Sequence, residues 1–443
     1  MTQLTSTLFT FIIALCLCSC QSDNTEPIEP EDLSYQLANP TIWSLASTPD
    51  RFTESTLVND LGYAYNRAKL AWYVINPEVF YRNTTLMPDH IKNDEDQRNH
   101  SLVREIFKQE IYPDRQAAYG KAEAINSLNL AYYPVERGPY NYDTDNINTD
   151  GSLKNPQLRW AGMMTSIEIK ETQDTIAFWL MDPFTSNESG YTGKLYLNFG
   201  TISEDVLSDG YNSCEQGLML NDEILETAWG LIPSNASYPN HFDSDKDIQL
   251  QQDIGLDGFR SDTLRKVNSE ATYFSDFLSV LKTKLSEPAY DKISKDPSSD
   301  DFHFYRGLDY DQMQRSILDR YKYFNNPERN SLDIKFSHES YSVAATTKPD
   351  YEDIDLDNAI NTTSDYKEFV ISIDRDNMQP DQQYIDDMRI SWSPNNIKTR
   401  WYHFSIPIDN LNDELVGTNQ TLRIYLSEFN KPIVLRLVDF KLQ

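Results

Sequence analysis

Outside its first twenty residues the 443-residue chain has one cysteine, Cys214; the other three are Cys16, Cys18 and Cys20. A disulfide framework is therefore excluded for the body, and stability must come from packed cores. Cys214 reads as a small buried hydrophobe rather than a nucleophile. Beyond the leader no apolar run approaches the roughly 18 residues that a membrane-spanning helix needs. Positive charge is scarce: 39 Lys and Arg stand against 69 Asp and Glu, a formal net charge of −30. Such a surface repels nucleic acid and anionic headgroups, which excludes both as partners. Histidine is rare, with six in all. His338-Glu339 begins like a zinc-protease helix, but Ser342 stands where the second His must lie one turn on. The Gly-rich phosphate loops and the G-x-S-x-G elbow are missing too. With so many carboxylates, closeness of two in sequence singles out no glycosidase pair. No catalytic residue emerges, and the expectation is a non-enzymatic protein without a small-molecule substrate.

What is present begins with a leader. Leu8 to Leu17 (LFTFIIALCL) is an apolar run of signal-peptide length, and it stops at Leu17-Cys18-Ser19-Cys20. Leu at −3 and a small Ser at −1 make a lipobox, with Cys20 as the lipid-modified residue. A multiply acylated Cys gives a stable anchor. Residues 1–19 are thus expected to be a lipoprotein signal peptide, and 20–34 an acidic, proline-containing tether. The acidic start also resembles a surface-export signal of lipoproteins. Outer-membrane, lipid-anchored placement at the cell surface follows as the expectation, and the anchor is the only membrane contact.

Aromatic residues make up 12% of the chain, with 27 Tyr and 7 Trp, which argues for ordered cores and against disorder. Ser55 to Ile75 reads as helical, with Leu57, Leu61, Tyr65, Ala68 and Trp72 three and four apart. Leu102 to Ile111 reads as a second helix, and Thr272–Leu285 and Asp311–Phe324 as two more. Strand-like runs lie at Asp174–Asp182 and Gly193–Gly200, then at Glu368–Ile373, Met388–Trp392, Trp401–Ile408, Thr421–Ser427 and Ile433–Leu442. The paired runs of the middle and of the end resemble one another, as in jelly-roll sandwiches. The fold class is therefore β-rich α+β, with jelly-roll-like sandwich units and packed helical segments. The expected division is 35–211 for a helical segment plus a first sandwich, 212–330 for a helical and loop region, and 331–443 for a second sandwich. The alternative is one large sandwich interrupted near Asn212–Asn330. Trp179 and Trp401 are expected in the core.

Several segments carry a more specific likeness. Thr41–Pro49 (TIWSLASTP), Tyr65–Tyr73 (YNRAKLAWY), Tyr132–Tyr142 (YYPVERGPYNY), Leu158–Gly162, Phe178–Phe184, Asn198–Asp205, Gln252–Gly258 (QDIGLDG), Arg320–Asn326 and Trp401–Pro407 follow one another in family order. Together they resemble the N-terminal-type domain of the SprA/Sov family, the gliding-motility and type IX secretion translocon proteins of the Bacteroidota. Members of that family are several times longer and form a giant outer-membrane barrel. This sequence has no room for such strands and brings its own lipobox. The resemblance therefore implies a stand-alone copy of the non-barrel domain that contacts proteins at the outer membrane, translocon or secreted cargo. It assigns no catalytic residue.

Calcium is the one ligand with local support. Asp353, Asp355, Asp357 and Asn361 put oxygen side chains at loop positions 1, 3, 5 and 9, as a hard cation requires. Asn358 replaces the turn glycine and Ser364 the closing acid, so a solvated acidic turn is the competing reading. No other cofactor is expected. Tyr132, Tyr133, Tyr140 and Tyr142 could stack on sugar rings, although core packing suits them better. A surface glycan-binding lipoprotein is accordingly the alternative to a protein-interaction component of secretion or gliding.

Overall fold

The computed structural model describes residues 35–82, 84–114, 122–170, 173–184, 192–215, 218, 223–234, 241–245, 248, 252, 254–259, 270–301, 303–324, 349–408 and 418–443. The leader, Cys20, the tether and the His338-Glu339 segment lie outside the described residues. Sixteen strands are described, and most belong to two antiparallel sheets. In chain order they are β1 (Tyr35–Gln36), β2 (Ser44–Leu45), β3 (Ala68–Tyr73), β4 (Ile106–Phe107), β5 (Ala124–Ile125), β6 (Ser127–Arg137), β7 (Trp160–Glu168) and β8 (Thr175–Met181). There follow β9 (Gly193–Thr201), β10 (Ile224–Glu226), β11 (Leu231–Pro233), β12 (Asp365–Ile373), β13 (Ile385–Trp392), β14 (Lys398–Pro407), β15 (Asn419–Ser427) and β16 (Ile433–Leu442).

The first sheet runs β13-β14-β8-β16-β6-β3, with β1 added to the end of β16; the second runs β12-β9-β15-β7-β2. Their facing sides fill one core. Leu70, Leu130, Phe178, Phe404 and Leu437 of the first sheet meet Met163, Leu197, Ile371, Ile424 and Leu426 of the second. The fold is β-rich α+β, as the strand pattern implies.

Two separate sandwich units do not form. Strand β8 from the middle of the chain pairs with β14 and β16 from its end, and β9 pairs with β12 and β15. The resembling pairs therefore do not build independent units. β8 to β9 crosses from the first sheet to the second, β15 to β16 crosses back, and the two crossings pair with each other. One sandwich interrupted by a long insertion is the observed arrangement.

Both outer faces are also covered. Helix Ser275–Lys284 lays Phe277, Leu278 and Leu281 in a cluster with Tyr196, Tyr425, Trp160 and Met164, the outward side chains of the second sheet. Helices Pro77–Phe80, Asp89–Lys92 and Ile317–Tyr321 cover Ala71, Tyr73, Ala131 and Val434 of the first sheet, where Tyr73 stacks on Tyr321 at 4.3 Å. A small ribbon of β4 and β5 caps Trp179, Met181, Trp401 and Val438. Trp179 and Trp401 are buried as expected, but on this outward side rather than between the sheets.

Double coverage explains where the helical expectation fails. Ser55 to Ile75 forms two 3-10 turns, Thr53–Thr56 and Leu61–Ala64, and then strand β3. Every residue of β3 is buried, so its apolar run lacks the alternation of a half-exposed strand and mimics a helical face. Leu102 to Ile111 is likewise a turn, β4 and the single helical turn Lys108–Ile111. Thr272–Leu285 does form helix, while Asp311–Phe324 holds parts of the short helices Leu308–Gln312 and Ile317–Tyr321.

The covering layers are pinned by guanidinium groups buried on the outward faces. Arg423 on β15 lies opposite Asn198 on β9, and Arg436 on β16 opposite Asn129 on β6. Each Nε donates to the partner Asn Oδ1 at 2.9 Å. Arg423 Nη1 reaches the Ser47 carbonyl at 3.3 Å and its hydroxyl at 3.2 Å, and the guanidinium lies over Tyr366 at 4.9 Å. Arg436 donates to the Ser101 carbonyl at 2.6 Å, the Arg104 carbonyl at 2.9 Å and Ser127 Oγ at 3.1 Å. Arg104 in turn grips Glu110 through two bonds of 2.8 and 2.6 Å.

Two stability predictions follow from this packing. Trp401→Ala should cost on the order of 3–5 kcal/mol in denaturant unfolding, because it opens a void under the β4–β5 cap. Arg436→Met should cost a similar ~3–5 kcal/mol, since four acceptors each lose the hydrogen bond from the buried guanidinium. Near-wild-type midpoints for either variant would contradict the assigned layer.

Candidate functional site

A groove of about 430 Å³ opens where the inserted region meets the edge of the first sheet. Lys69 enters it from β3, Glu136 and Arg137 from the end of β6, and Lys292 from helix Glu287–Ile293. The sequence places these side chains by strand facing: Lys69 lies between inward Ala68 and Leu70, so it must point outward. It is only 4% exposed, and its ammonium lies 5.1 Å from the ring centre of Tyr323. Lys292 and Lys322 approach the same ring at 5.0 and 5.7 Å. Lys292 also donates to the Tyr323 hydroxyl at 2.9 Å, and Lys322 pairs with Glu136 and lies 4.8 Å over Tyr133. Three ammonium groups around one electron-rich ring make a cation–π cluster whose charges face the groove. Asp150, Asp296 and Asp301 supply the opposite sign in the same lining. Among the described residues the lining holds no His and no Cys. Its chemistry suits recognition of a segment carrying both charge signs.

The expected calcium loop lies elsewhere, beside the end of β9. Asp353 and Asp355 come together there with Glu204, one carboxylate oxygen of each lying within 4.8 Å of the others. Asp353 is capped by its own loop, accepting from Asp357 N at 3.1 Å and Asn358 N at 2.8 Å. Asp357 accepts from Ala359 N at 2.8 Å. Asn361 is turned to the chain: its Nδ2 donates to the Ile202 carbonyl at 3.0 Å and its Oδ1 accepts from Thr363 N at 3.0 Å. The four expected ligands are therefore divided, with two in the cluster and two in loop hydrogen bonds. Glu204 joins from about 150 positions upstream, which loop spacing cannot reveal. Cys214 is buried, as expected.

Next to it, buried carboxylates organise residues 205–213. Glu352 accepts from Leu207 N at 3.0 Å and Ser213 N at 2.8 Å, and Asp205 accepts from Asp209 N at 3.0 Å and Gly210 N at 2.8 Å. Burial, with Asp355 facing it, pushes the Glu204 carboxyl up to about 8. Burial, with Asp205 nearby, pushes Asp209 up to about 6, and burial beside Asp205 and Asp209 holds Glu352 well above its ordinary range.

The aromatic pairs read as sugar platforms are not available as such. Tyr132, Tyr140 and Tyr142 are buried, Tyr142 stacking on Phe274 at 4.3 Å in the core beneath helix Ser275–Lys284, and Tyr133 is half-buried with the Lys322 ammonium 4.8 Å over its ring. Core packing, the favoured reading of these residues, is what Tyr132, Tyr140 and Tyr142 do.

Fold and site together define a doubly covered β-sandwich module with a charged groove at its inserted edge. The family model of the SprA N-terminal domain, described as "Motility related/secretion protein", matches residues 276–443. The match supports a SprA N-terminal-type domain in this chain and, at that coarse level, a link to motility or secretion. No curated protein matches the chain. The matched span carries the groove helix, the loop after it and strands β12–β16.

The raised carboxyls fix a pH dependence. An acid with a raised folded pKa binds its proton more tightly in the native state, so its contribution is full below the unfolded value of about 4–4.5. That contribution is lost as pH rises through the folded values. Glu428, Asp94, Asp145 and Asp150 are lowered and act in the opposite sense only in the more acidic range. In metal-free buffer the melting temperature should therefore fall between about pH 6.5 and pH 8.5, above the range in which His100, lowered by burial, opposes the trend. A flat or rising profile would contradict the buried, hydrogen-bonded placement of Glu204, Asp209 and Glu352.

Proposed function

We propose that this chain is a non-enzymatic, lipid-anchored component of a type IX secretion or gliding apparatus that works by binding a protein partner at the outer membrane. The observation that carries the reading is the family match over residues 276–443. The leader ending at Cys20 supports anchoring, since it combines an apolar run with a lipobox. No helix among the described residues is long and apolar enough to cross a membrane, so helical insertion by these residues plays no part in the proposal. The charged groove supports a protein partner over a sugar: the Tyr132, Tyr140 and Tyr142 rings are packed inside, whereas Lys292 is exposed beside Tyr323 in the groove lining. Secreted cargo and the translocon itself are the two partners this reading admits, reached on the cell surface.

Two experiments test it. Cys20→Ser should shift the protein from the membrane to the soluble fraction and abolish fatty-acid labelling; a variant that stays membrane-bound and labelled would refute the anchor. Mild crosslinking in the protein's own cells, followed by pull-down and mass spectrometry, should recover a translocon or cargo protein. Lys292→Glu, an exposed groove change worth under about 0.5 kcal/mol in stability, should reduce that recovery severalfold. Recovery of glycan-uptake proteins alone, or of nothing, would refute the secretion reading.

A further inference from the structure

Lys69 breaks the pattern of the face it stands on. Ala71 and Tyr73, the next outward positions of β3, lie in an apolar cluster, yet Lys69 brings an ammonium group to this face and is only 4% exposed. Its cross-strand neighbour on β6 is Tyr133. A methionine of similar reach would fill the place without taking a charge out of water. A buried ammonium is ordinarily held by a carboxylate or by several acceptors. Here neither is present: among the described residues the Lys69 side chain makes no hydrogen bond and no ion pair. What faces it is the Tyr323 ring at 5.1 Å and, at longer range, the charge of Asp296.

A second cation on the same ring is in the same position. Lys292 approaches the Tyr323 ring centre to 5.0 Å and donates to its hydroxyl at 2.9 Å, and it too has no ion pair among the described residues. Lys322, at 5.7 Å, differs in being paired with Glu136. Two unpaired ammonium groups on one ring repel each other, and an anion drawn to both relieves that repulsion. Both line the groove, whose volume of about 430 Å³ is that of a ligand-sized cleft, so an anion entering it meets them.

The rest of the lining selects among anions. Asp150 and Asp296 stand in it as well. They repel phosphate and other compact dianions, whereas a single carboxylate carried on a chain can take the ammonium groups and leave neutral or basic flanks to the aspartates. Val135 and Ala289 offer an apolar wall to the methylene stem of such a side chain.

We propose that Lys69 and Lys292 hold the carboxylate of one Asp or Glu side chain in a segment of the partner protein. This rests on the reading of the groove as a protein-binding site, and it adds the residue chemistry that the groove selects.

The test is capture of arrayed random decapeptides by the full-length protein at low ionic strength, with thermal melting alongside. The wild type should capture peptides that share one Asp or Glu beside a neutral or basic residue. Sodium acetate should displace them at least as well as sodium phosphate of equal ionic strength. Lys69→Met should reduce capture about tenfold or more, yet melt no lower than the wild type, because it removes a buried unpaired charge. Lys292→Gln, an exposed change, should weaken capture at an unchanged melting temperature. No capture by the wild type, capture without acidic preference, displacement by phosphate far ahead of acetate, or unchanged capture in both variants would overturn the proposal. A melting temperature several degrees lower in Lys69→Met would also overturn it, since the ammonium would then serve the fold. Acid-specific capture without a translocon or cargo protein in the cellular crosslinking would sink the secretion reading and leave this site standing; the reverse result would sink the site alone.

Discussion

Two arginine–asparagine pairs across neighbouring strands, Arg423 with Asn198 and Arg436 with Asn129, hold the architecture together. Each guanidinium is buried on the outward face of a sheet, where it is tolerable only if other chain segments bring acceptors over it. Those acceptors are the Ser47, Ser101 and Arg104 carbonyls. Shedding a covering layer would strand a charge beside an apolar sheet. The parts of both faces beneath these layers are thereby closed, while the outer strands β12 and β13 stay partly exposed. In β13, the outermost strand of the first sheet, Trp392 is 61% and Ile390 50% accessible.

The same double coverage decides what the sequence discloses. Strands β8, β9, β14, β15 and β16 are legible because each is a short apolar run bounded by turn residues, and β16 falls on Ile433–Leu442. Strand β3 is not legible, because Leu70 and Trp72 face one core while Ala71 and Tyr73 face another, which removes the period of two. Pairing of distant strands is likewise invisible from periodicity, which is why the middle and end of the chain suggest two units where they share two sheets. Helix Ser275–Lys284 is legible, since it exposes a polar side and buries Phe277, Leu278 and Leu281.

At the sites, local spacing carries part of the information. Asp353 and Asp355 are found by loop position; Glu204 reaches them only through the fold. Lys69 has one local trace, a charged residue inside the buried run of β3. That trace does not stand out until the fold brings Tyr323 and Lys292 to it. The matched family span has the same character. It begins at residue 276, yet its strands β12 and β15 lie beside β9 and β7 from the part before it. A boundary drawn in sequence there cuts through the middle of both sheets.

Native-state hydrogen exchange tests most directly whether the interleaved sandwich is one cooperative body. Amides of β8 and β9 should open with the same free energy as those of β15 and β16, and all four should shift together in Arg436→Met. Separate opening of the strands before residue 276 from those after it, with only one group responding to the substitution, would contradict a single body held by the buried arginines.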